Sequence, residues 1–352
     1  MTLSVSVVIP AHNSARTLAA CLDSVHAQTC RIHEVIVVDD ASTDRTAEIA
    51  RTRPCTLLRH ERNQGVSAAR NTGIRAATGE IVFFLDSDEA LTPDSVANAL
   101  DILRSDPGCG CVHGVIAPEP LYDDGPVERY KVLHAHWWRM RGVGETQTAF
   151  LAQAAVRREV FDRIGGFDES LRDSEDLEFS DRLAPHYRII LTDRIVARHD
   201  EEHRLLPLLA ETYRRALLLV PALTSARRSG RRNLTANTPA SVAAAALCLA
   251  ALPLLPTRPA VPALAAAGFC AANLGLLRFA ARRHGPAFAA RAAGLHLLVH
   301  TALLTGAAVG AARTALGPGA RAPARPAAPT APAAPTAARS ATGPAVRPDA
   351  PR

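Results

Sequence analysis

Four short apolar runs in the N-terminal part of the chain alternate with helical stretches. The runs are Leu3 to Ile9, Val35 to Val38, Thr56 to Leu58 and Ile81 to Leu85. All are too short and too rich in β-branched and aromatic residues for helices. Between them, Leu18, Leu22 and Val25 mark one helix face, Arg45 to Ala50 a second helix, and Gly65 to Ala77 a third. Strands alternating with helices predict an α/β fold with a mostly parallel, doubly wound sheet. Three of the runs lead into ligand-type residues: Asn13, Asp40, and the pair Asp86 and Asp88. In an open parallel sheet the ligand crevice lies outside the carboxyl ends of the strands. The polar residues are therefore expected to share one crevice, with Ser87 turned away from it.

Asp86 and Asp88 put two hard oxygen donors at one strand end, a set that suits Mg²⁺ or Mn²⁺ bound together with a substrate phosphate. Each residue also has a plainer reading. Asp39 and Asp40 can cap the following helix, Asn13 can cap the first, and Arg70 can be a solvated helix charge. Beyond Cys109 the pattern is less regular. Val112 to Ile116 reads as a strand, and His134, His136, Trp137 and Trp138 cluster after a polar loop. Glu175 and Asp176 open a helix through Leu183, where the helix dipole is expected to keep a carboxylate ionised and able to act as a base. Ile189 to Leu191 and Ile195 to Ala197 read as two short strands, followed by His199, a candidate ligand for Mn²⁺.

Net charge is +6 with pI about 9.2, which fits nucleic acid, an anionic membrane or an anionic substrate. The uneven spread of basic residues favours the membrane over nucleic acid. Uncharged runs cover roughly 238–256, 260–277 and 292–312, each approaching the ~20 residues of a membrane span. Arg227, Arg228, Arg231 and Arg232 precede the first, and Arg278, Arg282, Arg283 and Arg291 separate the last two. By the positive-inside rule the N-terminal domain is expected on the cytoplasmic face. A soluble helical hairpin packed on that domain is the alternative. The seven cysteines form no CxxC pair and no disulfide framework, as expected in reducing cytosol, and the first apolar run has no basic leader in front of it. Residues 317–352 are rich in Ala and Pro and cannot bury a core.

With those residues assembled, the chain resembles a family 2 glycosyltransferase of the GT-A fold, over about residues 3 to 205. The resemblance rests on Val5 to Asn13, Val37 to Asp44, Ala69-Arg70-Asn71-Thr72-Gly73, Gly79 to Asp88, Gly165-Gly166-Phe167-Asp168 and Glu175-Asp176, in that order. It implies that Asp40 binds the nucleotide base, with Pro10 and His12 on the loop lining it, although Tyr or Glu is commoner than His at position 12. Arg70 is assigned to the nucleotide as well. Asp86 is implied near the ribose and metal, Asp88 as the metal ligand bridging to the diphosphate, and Asp176 as the catalytic base. No Gln-x-x-Arg-Trp motif follows Asp176, which implies transfer of a single sugar rather than polymerisation.

The expected organisation is a nucleotide-sugar half over 1–115, an acceptor and catalytic half over 116–226, three spans within 238–312 and a disordered tail over 317–352. The expected activity is inverting, metal-dependent transfer from a nucleotide-diphosphate sugar to a glycan or lipid-linked acceptor at the cell membrane. A nucleotidyltransferase would want a glycine-rich phosphate loop near the N-terminus, which residues 10–16 lack. A membrane-tethered binding protein with a dead site would lack the carboxylates that are present here.

Overall fold

The computed structural model describes residues 3–171, 174–226 and 236–315. The first half runs β1 (Val5–Ala11), α1 (Leu18–His26), β2 (Glu34–Asp39), α2 (Thr46–Arg51), β3 (Thr56–Arg59), α3 (Val66–Ala76) and β4 (Ile81–Leu85). It continues through β5 (Glu89–Leu91), α4 (Ser95–Ser105), β6 (Cys109–Ile116), α5 (Pro126–Met140), β7 (Gly144–Thr146) and β8 (Gln153–Arg157). Then come α6 (Arg158–Ile164), α7 (Glu175–Leu183) and β9 (Arg188–His199). The strands form one sheet in the order β3-β2-β1-β4-β8-β6-β9-β5, with β7 also on β9. β1, β2, β3 and β4 are mutually parallel, as expected, and β6 and β9 run parallel to each other. β8 is antiparallel to both β4 and β6, so it joins the two parallel groups in one direction.

The strands are apolar on both faces because both are covered. Alternate residues enter opposite cores: Val7, Val37 and Phe83 on one side, Val8, Val38 and Phe84 on the other. Helix α3 lies close on β1 because residue 73 is glycine: a Cβ there would fall 2.2 Å from Val8 Cγ1. The two expected strands after Ile189 are one continuous strand, and the irregular stretch before Ala155 contains the long helix α5 and the strand β8.

A helical module follows: α8 (Leu205–Ala226), α9 (Pro239–Ala251), α10 (Ala260–Ala272), α11 (Leu274–His284) and α12 (Pro286–Ala315). Gly306 and Gly310 of α12 meet the α8 backbone at Tyr213 and Leu217, where an added Cβ would fall 2.5 and 2.6 Å from their carbonyl oxygens. The module docks on α5: Tyr130 and Leu133 pack with Leu276, Ala280, Phe288 and Ala292. A buried polar chain seals the joint. Tyr130 Oη and His296 Nδ1 are 2.7 Å apart, His296 Nε2 lies 3.0 Å from Asn273 Oδ1, and Ser241 Oγ donates to that same oxygen.

The three expected spans take a different form here. Only α12 among the described residues is by itself long and apolar enough to cross a membrane. The second run is broken at Asn273, where α10 and α11 meet at a 74° bend, and the first is the short helix α9. Asn273 breaks the run because its buried amide serves the polar chain to His296 and Ser241. The arginines at 227, 228, 231 and 232 and the tail 317–352 lie outside the described residues.

Candidate active site

Three residues with left-handed backbone mark the site. Asn13 (φ 53°) and Ala41 (φ 57°) follow β1 and β2, and Ser174 (φ 66°) precedes α7. Such non-glycine conformations cost on the order of 1 kcal/mol each and persist where surrounding contacts enforce them. Here Asn13 Oδ1 accepts from Thr43 N, and Ser42 N donates to Asp39 Oδ1, so the loops after β1 and β2 are tied together. Asp39 also faces Arg59 Nε at 3.0 Å and is therefore a structural residue.

The tied loops and the end of β4 enclose a cavity of about 220 Å³, lined by Pro10, His12, Asp40, Gly65, Asp86 and Asp88 among others. Five of the residues assigned by resemblance therefore share one crevice. Asp40 is nearly saturated: Oδ1 accepts from Gln64 N and faces His60 Nδ1 at 2.7 Å, and Oδ2 accepts from Gly65 N. Of about four acceptor positions on a carboxylate, one on Oδ2 is left for a ligand. His12 Nδ1 donates to the Asp40 carbonyl, which fixes the imidazole on the cavity wall. Ser87 is not turned away. It lies on the same wall, with its hydroxyl 2.7 Å from that of Ser14, because the chain turns into β5 immediately after Asp88.

That turn brings His199 to Asp88. β5 runs antiparallel to β9 with Glu89 opposite His199, and His199 Nε2 lies 3.4 Å from Asp88 Oδ2. On its other side, His199 Nδ1 faces Glu201 Oε1 at 3.3 Å, and Glu201 in turn pairs with Lys131. Burial works to lower the His199 pKa, but the Glu201 and Asp88 carboxylates outweigh it and hold the ring well above the ordinary histidine range. Burial also opposes ionisation of Glu201, but His199 and Lys131 keep its carboxyl far below the usual value. The donor set fits a divalent cation. Asp88, with its side chain 47% exposed, offers oxygen to the cavity, and His199, oriented by Glu201, offers Nε2 when a bound cation displaces its proton. A separate acidic group, Asp124, Glu128 and Asp200, has Arg16 paired to two of its members.

Arg70 is the hub of the site. It is 2% exposed, and its Nη2 donates to Asp86 Oδ1 at 3.1 Å. Its Nη1 donates to Glu175 Oε1 at 3.0 Å and to Asp176 Oδ1 at 3.2 Å. The expectation that Arg70 contacts the nucleotide meets a different geometry. Both of its terminal nitrogens are occupied by carboxylates, and it links the end of β4 to the start of α7. The sequence motifs explain how it is held. Asn71 clasps the Gly-Gly-Phe turn, with Nδ2 donating to Phe167 O and Oδ1 accepting from Phe167 N. Residue 166 must be glycine there, since a Cβ would fall 2.3 Å from Asn71 Oδ1.

Asp176 lies on the first turn of α7, as expected, but its acidity runs the other way. Burial pushes the carboxyl up to about 6, against the pull of Arg70 and with repulsion from Glu175 adding to the rise. Desolvation wins over the helix dipole because the site closes around the group. Oδ2 accepts from Leu151 N at 3.1 Å. A carboxylate with that affinity for a proton is better matched to general-base work near neutral pH than an ordinary aspartate. Asp86 is raised too, by burial first, with Arg70 opposing and Asp88 adding to the rise. His60, Lys131 and Glu201 escape sequence reasoning. The one available signal is the spacing of Glu201, two residues after His199.

A crevice at the ends of parallel strands, carboxylates on one wall and the half-buried carboxyl of Asp176 beside it match the GT-A class of glycosyltransferase domain. Residues 6–165 match the model of glycosyl transferase family 2, and the chain carries a domain of that family. It is 29% identical over 180 residues to an uncharacterized glycosyltransferase of Haemophilus influenzae, covering 49% of this chain and 60% of that protein. It is 32% identical over 199 residues to the uncharacterized glycosyltransferase EpsJ of Bacillus subtilis, covering 50% and 54%. The chain thus spans little more than half the length of these curated relatives. Among solved structures, a mannosyltransferase of Pyrobaculum calidifontis in complex with GDP-Man and Mn²⁺ superposes with a TM-score of 0.55 at 27% identity. The superposition covers 90% of this chain and 88% of that one.

Proposed function

We propose that the protein transfers one glycosyl group from a nucleoside-diphosphate sugar to an acceptor hydroxyl, with inversion at the anomeric carbon. One observation carries the reading: Arg70 joins Asp86 on the donor crevice to Asp176, so the crevice and the base are held in one rigid unit. Asp40, His12 and Pro10 line the base end of the crevice and Asp86 its inner end. Asp88 and His199 would hold Mg²⁺ or Mn²⁺, the latter being the ion bound with GDP-Man in the similar mannosyltransferase. When bound, the cation supplies charge neutralisation for the leaving diphosphate.

Asp176 takes the proton from the acceptor hydroxyl as that oxygen bonds to the anomeric carbon. The bond from that carbon to the diphosphate breaks, and the nucleoside diphosphate leaves with the electron pair. One base on the face opposite the leaving group gives inversion. We assign residues 1–115 to the donor half, 116–226 to the acceptor half and 238–312 to a membrane-associated module. α12 crosses or lies in the cell membrane, the catalytic domain is cytoplasmic, and the acceptor is a lipid-linked or envelope glycan. The acid-free, apolar helices docked on α5 support that placement. Nucleoside diphosphate release from a panel of nucleotide sugars in the presence of Mn²⁺ tests the reading. Release that depends on added acceptor and is lost in Asp176→Asn is expected, and a folded protein that turns over no donor would refute it.

A further inference from the structure

α5 ends near Asp176 with a cation, Arg139, that has no ion-pair partner among the described residues. Arg139 stacks on two rings, its Cζ 5.4 Å from the Trp138 centroid and 5.1 Å from that of Phe150. Its Nε and Nη1 are buried and have no hydrogen-bond partner. The ring contact fixes where the guanidinium lies, because Phe150 is followed by Leu151, whose N–H is bonded to Asp176. Glu89, Glu201, Asp176 and Asp86 act on it through space, but none forms an ion pair with it. Glu89 is fully buried, and neither of its oxygens makes a hydrogen bond, to Arg139 or to any other described residue.

Leaving Nε and Nη1 of a guanidinium desolvated and unpartnered is costly, and an anionic ligand would offset that cost. Its planar N–H donors match the oxygens of a phosphate. The other face of α5, through Tyr130, Leu133 and Trp137, carries the helical module, and between Glu211 and Asp349 the chain has no acidic residue. α5 therefore has an apolar, cationic module on one side and the reaction centre on the other.

We propose that Arg139 is an anion-binding residue that holds a phosphate group beside Asp176. The placement rests on the transferase reading above, and the favoured source is the phosphate of an amphiphilic acceptor. The donor diphosphate is the other source of the same chemistry.

The test uses the full chain in detergent with Mn²⁺, as wild type, Arg139→Met and Arg139→Lys. Binding of dodecyl phosphate, dodecanol and a nucleoside diphosphate is measured by calorimetry. A charged hydrogen-bonding partner lost to phosphate weakens binding by roughly tenfold or more. Arg139→Met is expected to lose that much affinity for dodecyl phosphate, with dodecanol and the nucleoside diphosphate unmoved. A loss confined to the nucleoside diphosphate supports the phosphate site and assigns it to the donor. Unchanged binding of both phosphates in a folded Arg139→Met overturns the proposal. If Arg139→Met does not fold, Arg139→Lys decides, because it keeps the charge and loses the planar fork: unchanged binding of both phosphates again overturns it. Donor turnover by the wild type is scored separately, so failure of the transferase reading leaves the phosphate result standing.

Discussion

Replacing Arg70 separates its role as hub from a role as nucleotide contact. The guanidinium is buried and serves Asp86, Glu175 and Asp176 at 3.0 to 3.2 Å. Removing one partner of a buried ion pair costs about 3–5 kcal/mol, so Arg70→Met is expected to lower stability by that order, and Arg70→Lys by less. The effect on chemistry follows from the same geometry. Arg70 is the leading influence that lowers the Asp176 pKa against burial, which alone would carry it above about 6. Without the cation the carboxyl holds its proton to higher pH. The acid limb of kcat/KM should therefore move up by about one unit, a tenfold loss on that limb and a much smaller loss well above it. The assay is kcat/KM across pH with saturating Mn²⁺, alongside nucleoside diphosphate affinity. If the acid limb stays in place while nucleotide affinity collapses, Arg70 is a nucleotide contact and the hub argument fails.

Other outcomes follow from single contacts. Asp176→Asn should keep donor affinity and lose transfer by ~10²-fold or more, the usual scale for loss of a general base. The same variant should be more stable than wild type at neutral pH. A carboxyl raised to about 6 in the folded state contributes stability only at low pH and loses it as pH rises through that value, so the gain should vanish in acid; equal melting temperatures at all pH values would refute the raised pKa. Gly166→Ala should cost about 1–3 kcal/mol through the clash with Asn71, read as a lower melting temperature, and an unchanged value would show that the clasp is loose. Carbonate extraction should leave the full chain in the membrane pellet, and release into the supernatant would favour a soluble helical module.

Much of the donor crevice was legible because local pattern decided it. Apolar runs covered on both faces ended on Asp40, Asp86 and Asp88, and the sheet brought those ends together. What was not legible depends on long-range register or on burial. The three-residue strand β5 turns back at once and sets Glu89 opposite His199, so the approach of His199 to Asp88 is a consequence of β9 pairing. The rise in the Asp176 pKa comes from burial, with Glu175 adding to it and Arg70 and the Leu151 N–H opposing it, which a position on a helix turn does not reveal. The uncharged C-terminal runs read as equal spans, yet Asn273 is drawn into a buried polar chain and bends one of them. Arg139 carried no pattern, since its meaning lies in partners that are missing.

The most direct measurement is nucleoside diphosphate release by the purified full chain from a panel of nucleotide sugars, with Mn²⁺, with chelator, and in Asp88→Ala. The account predicts release from at least one donor with Mn²⁺, abolished both by the chelator and by Asp88→Ala while the variant keeps its fold. Release that persists unchanged in Asp88→Ala or under chelation would contradict it.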